Sequence, residues 1–193
     1  MTGLILSGGE SSRMGTDKGL LLTGEKTWVE HISEILGTAK IPVYISVNKS
    51  NHAAYLKIFQ PQSLIIDNDS IPSKGPLLGI LSAHIHFPGE DLFVLPCDLQ
   101  SMNSSLIGKL ISHYQKHPDA EIVHFTLADE PEPLCAIYTS ASLDSILSRI
   151  RTGEIKRFSL KYILSQYKTY GIPLSKEESG AFKNYNSPED LGK

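Results

Sequence analysis

Short apolar runs alternate with longer amphipathic stretches along this chain, and that alternation leaves few folds open. Residues 3–6, 43–47, 64–66, 92–95, 121–125, 135–138 and 169–172 read as strands. Residues 28–36, 52–59, 76–86, 104–117, 141–151 and 156–167 read as helices. In the fourth helix Leu106, Ile107, Leu110, Ile111 and Tyr114 recur at helical spacing, and Asn103 can cap the start. Pro76 and Pro188 suit first-turn positions, where a missing N–H costs nothing. The pattern predicts an α/β fold, a Rossmann-like three-layer sandwich whose mostly parallel central sheet has helices on both faces. The 193 residues are expected to form a single domain, 1–193. The acidic, proline-containing stretch 126–133 reads as a surface loop, and 175–180 as another.

The first four strands each lead into a helix, which makes them parallel neighbours joined by right-handed crossovers. Ligands of such sheets gather at the carboxyl ends of the strands. Those ends carry residues 7–18, Asn48, Asp67-Asn68-Asp69 and Pro96-Cys97-Asp98, so separate polar segments are expected on one edge. The first is the most informative: Leu6 ends a strand and Ser7-Gly8-Gly9 follows, with Arg13 and Lys18 beyond. Paired glycines let backbone N–H groups converge on one anion, and two cations beside them suit a nucleoside triphosphate. The alternative is a tight strand-to-helix turn with two solvated cations. The spacing is neither GxGxxG nor GxxxxGK[ST], which counts against a dinucleotide site and a P-loop.

Asp98, after a buried strand, is placed to hold Mg²⁺, an ion that keeps several waters and takes few protein ligands. It could equally cap a turn. Cys97 beside it reads as a small buried filler, with no activating partner. Asp67 and Asp69 could each accept from a base or ribose, or serve a turn. Lys74-Gly75-Pro76 opens a helix in which Gly79 lets a ligand or a strand come close. His113 and His117 have a metal-pair spacing but no further clustered ligands, and read as a solvated helix C-terminus. Trp28 reads as core.

Composition narrows the partners. A net charge of −3 argues against a nucleic-acid binder, so a polyphosphate site must be a local cluster of cations. No apolar run approaches the roughly 18 residues of a membrane span, and the N-terminus lacks a basic secretory stretch. Cys97 and Cys135 suggest no disulfide framework. The expectation is a cytoplasmic protein with no membrane partner.

The segments Leu6-Ser7-Gly8-Gly9, Arg13-Met14-Gly15, Asp17-Lys18, Gly75-Pro76-Leu77-Leu78-Gly79-Ile80, Pro96-Cys97-Asp98, Pro133-Leu134-Cys135-Ala136-Ile137-Tyr138 and Asn184-Tyr185-Asn186-Ser187-Pro188-Glu189-Asp190-Leu191 occur in that order. Together they resemble the molybdenum cofactor guanylyltransferases, a MobA-like nucleotidyltransferase family, over nearly the whole chain. The resemblance implies a nucleotide-diphospho-sugar transferase type of sheet. It also implies Mg²⁺-dependent transfer of GMP from GTP to molybdenum-loaded molybdopterin, with release of pyrophosphate. Position by position it implies that Leu6, Ser7, Gly8 and Gly9 line the guanine and phosphate end. Arg13 and Lys18 would meet the phosphates, Asn48 and Asp67 the nucleoside, and Asp98 the metal. Asn184 and Asn186 would lie toward molybdopterin. Molybdenum-insertion proteins and apo-molybdoenzymes are the implied transient protein contacts. Ser7 stands where alanine is usual in the family, Gln100 where proline is frequent and Ser187 where threonine is common. Asp69 can also be aligned to the role given to Asp67. A CTP-using relative, an enzyme acting on a sugar or polyol phosphate, and a nucleotide-binding module without catalysis are the competing readings.

Overall fold

The computed structural model describes residues 1–7 and 17–185. In chain order these form β1 (Thr2–Leu6), β2 (Leu22–Thr23), β3 (Lys26–Thr27), α1 (Trp28–Gly37), β4 (Val43–Val47), α2 (His52–Tyr55), β5 (Leu64–Ile66), α3 (Pro76–His86), β6 (Leu92–Pro96), α4 (Ser104–Lys116), β7 (Ile122–Leu127), β8 (Glu130–Tyr138), α5 (Ser140–Arg151), α6 (Leu160–Leu164), β9 (Thr169–Pro173) and α7 (Lys176–Ser179). One seven-stranded sheet has the order β5-β4-β1-β6-β8-β7-β9, and within it only β8 runs antiparallel to its neighbours. The four strands that each lead into a helix are indeed parallel neighbours. β2 and β3 pair separately as a small ribbon.

Successive side chains of a strand point to opposite faces, and both faces of this sheet are covered. Ile5, Phe93, Leu95, Val123 and Ile137 pack in one core with Val29 and Ile32 of α1 and Leu106 and Leu110 of α4. Their chain neighbours Leu4, Leu92, Val94, Ile122, Ala136 and Tyr138 pack in a second core with helices α3, α5 and α6. Strands buried on both sides need apolar residues at consecutive positions, so their runs are continuous rather than alternating. The result is the three-layer sandwich expected from the sequence.

Local chemistry sets the helix starts. Thr27 and Glu30 form a reciprocal capping box at α1, Asn103 accepts from Leu106 N at α4, and Pro76 occupies the first turn of α3. Trp28 is fully buried, as expected.

Several expectations need correction. Residues 126–133 are not a loop: they form most of a hairpin joining β7 to β8. Its central residues, Ala128 and Asp129, have φ of 48° and 65°, the left-handed geometry of a type I′ turn. Neither is the glycine or asparagine that ordinarily signals such a turn. Pro131 and Pro133 are tolerated because β6 pairs with β8 only at Ala136, Ile137 and Tyr138, leaving the proline end at an edge. The ladder is also irregular between the pairs His124↔Ala136 and Phe125↔Glu132, and Tyr138 Oη donates back to Pro133 O across that irregularity. Residues 175–180 include the short α7, closed by a capping box of Ser175 and Glu178. The helix expected over 52–59 ends at Tyr55, where the chain tightens into turns ahead of Pro61. The helix expected over 156–167 shrinks to α6, because Ile155 first turns into the core. The α4 terminus packs rather than being solvated: His117 stacks on Tyr170 of β9 at 3.5 Å between ring centroids. Pro188 lies outside the described residues.

A positive φ at Asp129 strains an L side chain that makes no packing contact of consequence on this exposed turn. Asp129→Gly should therefore raise unfolding stability by about 0.5–1 kcal/mol, read as a higher urea midpoint at unchanged slope.

Candidate active site

The parallel strands β5, β4, β1 and β6 end on one edge, and the backbone ladder continues past their ends. Cys97 N donates to Leu6 O at 3.1 Å, Ser7 N to Ser46 O at 3.0 Å and Asp67 N to Val47 O at 2.9 Å. Ser7, Asn48, Asp67 and Asp98 thus follow neighbouring strands in register. Three strand spacings, roughly 14 Å, separate the outer two strands.

At the centre of this edge lies a hydrogen-bonded group that sequence reasoning missed. The half-buried carboxylate of Asp17 accepts from Gly19 N at 2.9 Å, from Tyr55 Oη at 2.6 Å and, on its other oxygen, from Asn51 Nδ2 at 2.5 Å. Ser7 Oγ stands 3.5 Å away and is in a close hydrogen bond with Tyr55 Oη. Asn51 Nδ2 also donates to Ser7 O at 3.2 Å. Burial, with the Asp17 carboxylate beside it, pushes the Tyr55 hydroxyl well above its ordinary pKa, so it remains a donor. Gly19 is required by close approach: a Cβ there would lie 2.0 Å from Ser7 Oγ and 2.2 Å from Tyr55 Oη. Asp17 caps the 3-10 turn Lys18–Leu20, and Lys18 is its first residue. Asp17 was marked in advance only as part of the segment Asp17-Lys18, and its partners only by the spacing of Asn51 and Tyr55, four apart across one helical turn.

Lys18 Nζ lies 3.6 Å from Asp98 Oδ2, with the two side chains 29% and 22% exposed. Asp98 leaves β6 behind Cys97, which is buried and whose thiol is pushed up to about 12, chiefly by burial. Cys97 is thus the inert filler its surroundings suggested. The turn after Asp98 is held by Gln100, whose Nε2 donates to Cys97 O at 2.6 Å and to Trp28 O at 3.3 Å. A proline could make neither contact. Tyr185 N donates to Asp98 O at 3.3 Å, and Tyr185 Oη shares a 2.7 Å hydrogen bond with Ser101 Oγ. Tyr185 is thereby seated on the Asp98 turn, with exposed Asn184 next to it. Among the described residues no cluster of three or more His, Cys, Asp or Glu could hold a metal. A Mg²⁺ bound chiefly through substrate phosphates and water needs only one or two carboxylates, and Asp98 fits that demand.

On the other flank, Asn48 Oδ1 accepts from Asn51 N at 2.9 Å and from Ser50 Oγ at 2.7 Å. Asp67 Oδ1 accepts from Ser46 Oγ at 3.0 Å, whereas Asp69 points outward, 64% exposed and paired with Lys49. The two aspartates left open by the sequence are therefore in different surroundings, with Asp67 facing the inner edge. Gly79 serves the strand rather than open space: a Cβ there would lie 2.5 Å from Ser46 Oγ.

Of the residues singled out from the sequence, Leu6, Ser7, Lys18 and Asp98 come together across β1 and β6. Asn48 and Asp67 lie along the same edge, and Asn184 lies beside the Asp98 turn. Gly8, Gly9, Arg13 and Asn186 lie outside the described residues.

The model of the MobA-like NTP transferase domain family matches residues 3–167. A Flavobacterium johnsoniae protein named as a probable molybdenum cofactor guanylyltransferase is 31% identical, covering 99% of this chain and 94% of its own length. A Methanocaldococcus jannaschii protein of the same name is also 31% identical, covering 99% and 96%. Among solved structures, molybdopterin-guanine dinucleotide biosynthesis protein A from Archaeoglobus fulgidus has a TM-score of 0.77 at 21% identity, covering 100% of this chain and 95% of its own. The last shows that the fold is shared.

Asp67 offers a test of how this edge is built. Burial, more than its neighbour Asp69, raises its pKa from 3.8 to about 6, against the opposing hydrogen bond from Ser46. A carboxyl raised on folding favours the folded state below its unfolded pKa, and that advantage is lost as pH rises through about 6. Asp67→Asn should therefore be more stable than the parent at pH 8, by about 1 kcal/mol after allowance for solvent screening, and no more stable at pH 4. Urea midpoints at the two pH values decide it; equal differences at both would mean that Asp67 is fully solvated.

Proposed function

We propose that this chain, which belongs to the MobA-like NTP transferase family and is a nucleotidyltransferase, transfers GMP from GTP to molybdenum-loaded molybdopterin and releases pyrophosphate. The observation that carries the reading is the pair Lys18 and Asp98, 3.6 Å apart beyond the ends of adjacent strands β1 and β6. One supplies a cation for phosphate oxygens, the other a carboxylate for a divalent ion. The acceptor comes from the names of the relatives, two of which are probable molybdenum cofactor guanylyltransferases.

In this reading an oxygen of the terminal phosphate of molybdopterin bonds to the α-phosphorus of GTP. The bond from that phosphorus to the bridging oxygen breaks, and pyrophosphate leaves with the electron pair. Lys18 offsets the charge that grows on the phosphate oxygens. Asn48 and Asp67 face the nucleoside, Leu6 and Ser7 line its approach to the phosphates, and Asn184 lies toward the acceptor. Arg13, Gly8 and Gly9 belong to the phosphate side of the proposal, and Asn186 to the acceptor side. Mg²⁺ on Asp98 would supply further neutralisation of the phosphate oxygens. Residues 1–193 act as one nucleotidyltransferase domain in this proposal. The free, buried Cys97 and Cys135 suit a reducing cytoplasm.

Pyrophosphate release with GTP, Mg²⁺ and purified molybdenum-loaded molybdopterin tests the reaction, with CTP and ATP as competitors. GTP should be used selectively; preferential use of CTP would overturn the guanine assignment. Asp98→Asn should lower Mg²⁺-dependent transfer by roughly a hundredfold or more while leaving the urea midpoint near that of the parent.

A further inference from the structure

The group around Asp17 goes beyond these assignments, although it rests on reading Lys18 as the phosphate cation. We infer that Tyr55 and Asn51 are positioning residues for nucleotidyl transfer: they hold the Asp17 carboxylate and, through it, aim the Lys18 ammonium at the polyphosphate.

The ring of Tyr55 fills the core under α2 and is stacked near Phe59, with 6.0 Å between centroids. Phenylalanine would fill that space as well. A hydroxyl there is a liability unless it is bonded, because burying an unpaired O–H is unfavourable. Here it reaches Ser7 Oγ and Asp17 Oδ1, both beside the strand end that leads to the candidate phosphate site. Asn51, one turn earlier, takes the other Asp17 oxygen and the Ser7 carbonyl through the same amide nitrogen. These two bonds also settle the orientation of that amide, since a flipped oxygen would face two acceptors.

Both flanks of Lys18 are consequently fixed. On one side Asp17 has donors on both carboxylate oxygens. On the other, Gly19 presses against Ser7 Oγ, Tyr55 Oη and the Val29 side chain too closely for any Cβ. The backbone that carries the ammonium is thereby held on both sides, and Lys18 Nζ lies 3.6 Å from Asp98 Oδ2. A misplacement of about 1 Å in a group that acts on the transition state can lower the rate a hundredfold. The network also continues to Asn48, whose Oδ1 accepts from Asn51 N, so one short helix braces the nucleoside and phosphate flanks together.

The test is a double-mutant cycle of Tyr55→Phe and Lys18→Ala, assayed by initial rates of pyrophosphate release over a range of GTP with saturating acceptor. Tyr55→Phe alone should lower kcat about tenfold and leave the KM for GTP within about twofold. In the Lys18→Ala background the same change should lower kcat by less than about twofold, because its effect runs through the missing ammonium. An equal loss in both backgrounds, or no loss in the parent, would overturn the inference. If Lys18→Ala itself keeps the parental kcat, the reading of Lys18 fails first and takes this inference with it. Asn51→Ala in the same cycle should repeat the pattern and carries the test if Tyr55→Phe does not fold.

Discussion

The structure depends on parallel strands whose pairing does not stop where the strands stop. Cys97 N, Ser7 N and Asp67 N each donate to the neighbouring strand beyond the regular ladder. Backbone donors in a buried sheet must be paired, so these bonds are an obligation of the fold before they are of use to a site. Once made, they fix the first residues of three separate polar segments relative to one another. Two apolar cores then hold the strands from either face. A site assembled from distant parts of the chain thereby inherits the rigidity of the sheet.

Asp17 shows how that rigidity extends into a turn. A partly buried carboxylate is unfavourable when unpaired, and replacing such a group by an apolar one is often neutral or stabilising. Three donors within 2.9 Å satisfy this one, from the backbone of Gly19 and the side chains of Tyr55 and Asn51. An apolar residue would give the turn its packing but not its direction. The hydrogen bonds specify which way the chain leaves, and Lys18 follows immediately. The same logic applies at Gln100, whose amide ties the Asp98 turn to the start of α1.

Much of this was legible in the sequence because the signals were local. Apolar runs gave the strands, Asn103 and Pro76 marked helix starts, and the polar residues after each run marked the edge. The hairpin at Ala128 and Asp129 was not legible, since its left-handed turn has no glycine and opens on an alanine. Pro131 and Pro133 suggested a loop because a sequence does not show where a neighbouring strand stops pairing. Nor could spacing reveal the Asp17 group. Its members lie 34 and 38 residues from their carboxylate and meet only after the sheet has formed. Asp67 and Asp69, indistinguishable by type, were separated by which of them faced Ser46 and which faced Lys49.

The electrostatics of this edge point the same way as its geometry. The Lys18–Asp98 pair is neither deeply buried nor in close contact, and pairs of this kind contribute about 0–1 kcal/mol to stability. Asp67 is worse than neutral for the fold, since burial raises its pKa to about 6 and its charge is disfavoured at neutral pH. The fold would be served as well or better by uncharged residues at these places. Charges kept where packing does not ask for them, on an edge whose backbone is held rigid, agree with the proposed reaction, in which Lys18 meets phosphate oxygens and Asp98 a divalent ion. Local choices that oppose stability without structural compensation are expected at functional sites, and here they fall on residues at the ends of neighbouring strands.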